Sequence, residues 1–143
     1  MRHAILIIIV CLFFVGCKKD NASKPQLTFK SVNTNVVYIN QSLQITFGFT
    51  DPAGSADSLL VQYIVPDCAQ SSVDYGLAIP SYPSTTGETG DILATFGYNT
   101  GTNQLEFPQC STNDTGYFRF VLKDKEGHTS DTVNTPTIVV IHN

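Results

Sequence analysis

The sequence predicts an all-β protein, built as an antiparallel sandwich of about seven strands. Three observations lead there. Charged residues are sparse at 14%, while Thr, Ser, Asn, Gly and Pro are common, a composition of strands and turns. Several stretches alternate apolar and polar residues with a period of two, and turn-forming clusters separate them. No stretch carries a convincing helical period.

The chain opens on a leader rather than a strand. Met1, Arg2 and His3 form a short basic start, Ala4 to Val15 is almost unbroken apolar sequence, and charge begins at Lys18, Lys19 and Asp20. As a helix that run covers about 18 Å, against about 30 Å for the hydrocarbon core of a bilayer. It is short for a span and fits a secretory signal. An ordinary signal peptidase prefers an A-x-A-like end. Phe14-Val15-Gly16-Cys17 instead resembles a bacterial lipobox, with Phe where Leu is usual. The resemblance implies a diacylglycerol on the Cys17 thiol and cleavage before it. Two or more acyl chains hold a protein stably to a membrane, where one does not. A plain secretory signal with an incidental cysteine and an uncleaved anchor are the alternatives.

Lys18, not Asp, follows that cysteine. In a host with two membranes this implies the outer one. "CKKDN" also resembles the charged surface-export signals of Bacteroidota lipoproteins; the plain alternative is a solvated tether. The expected division is residues 1–16 as signal peptide, 17–26 as lipidated cysteine and tether, and 27–143 as one β-sandwich domain. Loss of Arg2 with the leader takes the formal net charge from −4 to −5. That mild acidity argues against nucleic acid, which wants a basic stripe.

Strands then follow in order. "QLTFKSV" and "NVVYI" read as a first strand in two pieces. "SLQITFGFT" sets Leu43, Ile45, Phe47 and Phe49 on one face. "DPAGSADS" supplies a turn, and "LLVQYIVP" is a continuous apolar strand stopped by Pro66. "GDILATFGYN" alternates Ile92, Ala94, Phe96 and Tyr98, and "GYFRFVLKD" alternates Phe118, Phe120 and Leu122. "KEGH" turns the chain, and "TVNTPTIVVIHN" closes it as the last strand.

Cys68 and Cys110 are the pair left once Cys11 departs with the leader and Cys17 takes the lipid. In an oxidising compartment they are expected to form a disulfide. Two cysteines with His128 and His142 make a poor zinc set.

The closing stretch "NDTGYFRFVLKDKEGHTSDTVNTPTIVVI" resembles the final hairpin of immunoglobulin-like domains in bacterial surface proteins. Asp114 and Gly116 match their Asp-x-Gly-x-Tyr corner, and Phe118 stands where the Tyr is expected. The resemblance covers about a third of the chain and implies an immunoglobulin-like antiparallel sandwich. It also makes the strands before Cys68 and after Cys110 antiparallel neighbours, so the bridge would pin one pole.

Catalysis needs a positioned imidazole or paired carboxylates. His128 falls in a hairpin turn and His142 at the terminus, both read as solvated, so no enzyme is expected. Calcium takes loop oxygens. Asp51 and Asp57 in one turn, and Asp124 and Glu126 in another, are the candidates; ordinary turn chemistry is the plain reading. The stretch from Pro66 to Asp91 is long for a connection and holds Tyr75 and Tyr82, candidates for stacking on a protein or glycan partner. "VDYGLAI" within it reads equally as an edge strand. Asp57-Ser58-Leu59 and Asp131-Thr132-Val133 resemble the acceptor pattern of Bacteroidota O-glycosylation. No cofactor is expected. The reading is a lipid-anchored envelope protein whose sandwich binds a partner or plays a structural part. The alternatives are a calcium-stabilised spacer and an envelope enzyme with an unrecognised site.

Overall fold

The structure, a computed structural model, describes residues 24–68, 72–80, 87–101 and 110–142. Cys17, the leader and Tyr82 lie outside them. Among the described residues there are nine strands and no helix. They are β1 (Gln26–Val32), β2 (Val36–Val37), β3 (Ser42–Asp51), β4 (Ala56–Ile64), β5 (Ser72–Ala78), β6 (Glu88–Gly97), β7 (Asp114–Asp124), β8 (Val133–Asn134) and β9 (Ile138–Val140). Two sheets result. The smaller runs β1-β3-β6, and the larger runs β2-β9-β7-β4-β5, with β8 also paired to β7.

Period-two sequence sets the inner faces. Leu43, Ile45 and Phe47 of β3 and Ala94 and Phe96 of β6 face Leu59, Val61 and Tyr63 of β4 and Phe118, Phe120 and Leu122 of β7, all buried. Aromatic rings join the sheets through the core. Phe118 stacks on Tyr63 at 4.5 Å and on Phe96 at 5.2 Å between centroids, while Phe47 meets Phe120 at 4.5 Å. Burying each such side chain stabilises the fold by about 1.5–3 kcal/mol.

Four sequence expectations are corrected. The two pieces of the first strand belong to different sheets: β1 pairs with β3, while β2 pairs in parallel with β9. The polar Asn33–Asn35 stretch makes the crossing. Asn33 bonds Ser42 O and Gln44 N through its side chain, and Val139 N donates to Asn35 O. The terminal strand is two short strands, because Pro136 offers no N–H to a ladder. Thr135 Oγ1 accepts the Phe118 N–H instead, at 3.0 Å, and Ser130 Oγ does the same for Leu122 N at 2.9 Å. Pro66 to Asp91 is not one long loop, since it holds β5 and the start of β6. The turn at "DPAGSADS" is shorter than expected: β3 runs through Asp51 and β4 begins at Ala56, so Asp57 is a strand residue.

Strand ends define two poles. At one, Gln26 pairs with Thr50, Glu88 with Asp51 and Ala56 with Asp124, and Lys24 Nζ reaches Asp131 Oδ1 at 2.5 Å. At the other, Asn40 N donates to Tyr98 O and His142 N to Asn113 Oδ1, beside Cys68 and Cys110. The chain therefore enters the sandwich at the pole opposite the cysteine pair.

Candidate functional site

The acidic turns lie at the entry pole. Asp51 ends β3 fully buried, and its carboxylate accepts Ala53 N at 3.1 Å and Ser55 N at 2.7 Å. Asp124 ends β7 in the same manner, accepting His128 N at 2.7 Å through Oδ1. Gly127 supplies the left-handed residue of that turn, at φ 90°. The two turns are tied together: Lys125 N donates to Ser55 O at 3.0 Å, and Ser55 Oγ donates to Glu126 Oε2. Each buried carboxylate thus does what a short polar side chain does in a bend, bonding amides a few residues on.

Of the four calcium candidates, Asp51, Asp57, Asp124 and Glu126, only the last two share a cluster. Asp124 and Glu126 do come together, with ligand atoms within 4.8 Å of one another and of His128. Asp51 and Asp57 stay outside that group; Asp57 is exposed on β4, where its carbonyl accepts Ile79 N. His128, expected to be solvated, is 46% exposed, and its Nδ1 lies 2.7 Å from Asp124 Oδ2. A carboxylate oriented on an imidazole supplies two of the three groups of a hydrolytic triad. The nearby hydroxyl, Ser55 Oγ, is bonded to Glu126 instead.

The opposite pole is organised by Asp114. Cys68 and Cys110 are joined, with Cα atoms 5.6 Å apart. Asp114 begins β7 fully buried, accepting Cys110 N at 2.9 Å through Oδ1 and the Tyr63 hydroxyl at 3.3 Å through Oδ2. Burial, then the Asp114 charge and hydrogen bond and then Tyr75, push the Tyr63 hydroxyl well above the ordinary tyrosine range. Sequence reading singled out Asp114 for the corner pattern and missed its real partners. Tyr63 is one apolar-side position in a long strand, and nothing local marks it.

Tyr75 sits in β5, the edge strand of the larger sheet, opposite Val61 and packed against the core. It is not presented on a long loop as the stacking idea required. Of the two acceptor-like hydroxyls, Thr132 is exposed and Ser58 is half-buried in β4. Beside β5 lies a cleft of about 440 Å³ between the edges of the two sheets. Phe49, Leu59, Leu77, Ile79 and Ile92 line it together with Asp91 and Thr95, so its wall is mixed in polarity.

No family model matches the chain, and no curated protein matches it. Among solved structures it is similar to Spo0M, the sporulation control protein of Bacillus subtilis, at 13% identity and a TM-score of 0.44. That match covers 84% of this chain and 50% of the other. It is also similar to the Pseudomonas fluorescens alkylpurine DNA glycosylase AlkC bound to DNA containing an abasic site analog, at 10% identity and a TM-score of 0.49. There it covers 84% of this chain and 31% of the other. The chain thus spans half or less of either protein, and neither likeness bears on its function.

Proposed function

We propose that the chain is a lipid-anchored cell-envelope protein whose immunoglobulin-like sandwich serves as a binding or structural module at the outer membrane or cell surface. The observation that carries this reading is the short apolar leader ending in Phe14-Val15-Gly16-Cys17. The thiol there accepts the lipid, and the two or three chains of a lipoprotein cysteine exceed what stable anchoring needs. Cys17 stands seven residues before Lys24, so an extended tether reaches at most about 25 Å from the entry pole. The tether therefore holds the entry pole, rather than the cysteine-bridged pole, within that reach of the anchor.

Strand order supports the immunoglobulin-like part. A β1-β3-β6 sheet packs on one with β4 and β7 as antiparallel neighbours, and β2 crosses over to pair in parallel with β9. The buried side chains of the two acidic turns serve the turns themselves, which favours a module over a hydrolase.

Mass spectrometry of the chain from cell envelopes tests the proposal. A mature amino terminus at Cys17 carrying acyl mass is expected, with Cys17→Ser moving the protein out of the membrane fraction. A chain intact from Met1 with a bare thiol would overturn it.

A further inference from the structure

The inner faces of the two sheets cover each other; the outer face of the larger sheet has no such cover. Its central strands, β4 and β7, set residues opposite one another there: Leu60 and Val121, Gln62 and Arg119, Ile64 and Tyr117. Those of β7 alternate with the buried Phe118, Phe120 and Leu122 and are themselves half-buried. Leu60 is 41% exposed. Gly76, its neighbour on β5, brings no side chain, and nothing lies within 4 Å of where a Cβ would stand. Asp74, Lys123 and Asn134 are exposed around this patch. Aliphatic and tyrosine side chains around one arginine are the composition of a protein interface core.

Charge chooses the occupant. Lys24 and Lys30 each hold a carboxylate of this chain, Asp131 and Asp91. Among the described residues Arg119 and Lys123 hold none. One guanidinium nitrogen of Arg119 donates to the neutral Gln62 Oε1 at 3.3 Å, which orients the group without neutralising it. The carboxylate on this face, Asp74, lies beyond Gln62 on β5. An arginine fork matches a carboxylate with two parallel hydrogen bonds.

We propose that this face docks an acidic segment of another protein, an Asp or Glu flanked by apolar side chains. The carboxylate sits on Arg119, and the flanking side chains pack on Leu60 and Val121. A second copy fits poorly, because a two-fold axis at the centre of the face would set Arg119 against itself. The proposal takes up the binding part of the reading above and does not depend on the anchor.

Two measurements on the full chain test it. In detergent, N-acetyl-Leu-Asp-Leu-amide at millimolar concentration should shift the amide resonances of Leu60, Gln62, Arg119 and Val121. The Asn counterpart of the peptide, or Arg119→Gln in the chain, should weaken binding at least fivefold. In intact expressing cells, benzoylphenylalanine placed at Leu60 should give a protein adduct whose mapped peptide carries Asp or Glu beside the crosslink. Arg119→Glu, and the milder Arg119→Gln, should remove that adduct while the variants melt as wild type does. The Cys17 acyl mass, read on the same samples, reports the anchor separately. No shift with the acidic peptide, equal binding of its Asn counterpart, or an adduct indifferent to Arg119 would overturn the proposal. So would a crosslink to a second copy, a glycan or a lipid.

Discussion

The Tyr63 hydroxyl donates to Asp114 Oδ2 at 3.3 Å where both side chains are closed to solvent. The same carboxylate receives Cys110 N, so one acid joins β4, β7 and the segment carrying the cysteine bridge. Asp114→Ala leaves both donors without this acceptor, at a cost of about 1–3 kcal/mol for each buried group stranded. Tyr63→Phe keeps the ring stack on Phe118 and should cost less, about 1 kcal/mol. Urea unfolding midpoints of the two variants check the order.

Alkaline stability follows from the same pair. The Tyr63 hydroxyl ionises far less readily folded than unfolded, because burial and Asp114 both disfavour the phenolate. Its contribution is complete below the unfolded tyrosine value of about 10 and is lost as pH rises beyond it. Wild-type stability should therefore fall steeply above about pH 10, and Tyr63→Phe should flatten that fall. Thermal melts across the alkaline range read the slope.

The bridge between Cys68 and Cys110 closes a separation of 42 residues. On the chain-entropy account its loss costs about 4 kcal/mol. Cys68→Ser with Cys110→Ser should unfold at markedly lower denaturant than wild type, and a reductant should bring wild type down to meet it.

Gly116 is required by proximity rather than by backbone angle. A Cβ there would overlap the backbone carbonyl oxygen of Ile64 and stand 3.2 Å from Tyr63 Cε2. Gly116→Ala must push β7 from β4 beside the Asp114 anchor, so a loss of about 1–3 kcal/mol is expected. Ala at Gly76, with nothing within 4 Å, should be nearly neutral in the same melt.

Asp51 and Asp124 hold turn amides with their buried carboxylates. Asp124→Ala should cost about 1–3 kcal/mol by freeing His128 N, with Asp51→Ala similar through Ala53 and Ser55. Millimolar calcium should leave the melting temperature unchanged. A rise that disappears with Asp124→Ala would restore the calcium-stabilised alternative.

What could be read in advance was whatever repeats along the chain. Leu43, Ile45 and Phe47, then Ala94 and Phe96, then Phe118, Phe120 and Leu122 declare their strands because alternation is local and each strand has one buried face. β5 was ambiguous because Tyr75 and Leu77 are only partly buried on an edge, so their pattern is weak. The sheet change at Asn33–Asn35 and the break at Pro136 depend on which neighbour is free to bond, which alternation does not encode. The cysteine pairing was legible by elimination. The Asp124–His128 contact was not, since residues four apart meet in a turn only when its backbone takes one particular course.

Lys24 enters at the pole from which β1 departs, and β1 then runs along β3 from Gln26 opposite Thr50 to Val32 opposite Ile45. A tug on the amino-terminal end is thus aligned with the strand and crosses hydrogen bonds lying perpendicular to it. Those bonds are loaded in shear, all at once, rather than peeled open in turn. Held by that end, the domain would resist traction along its length.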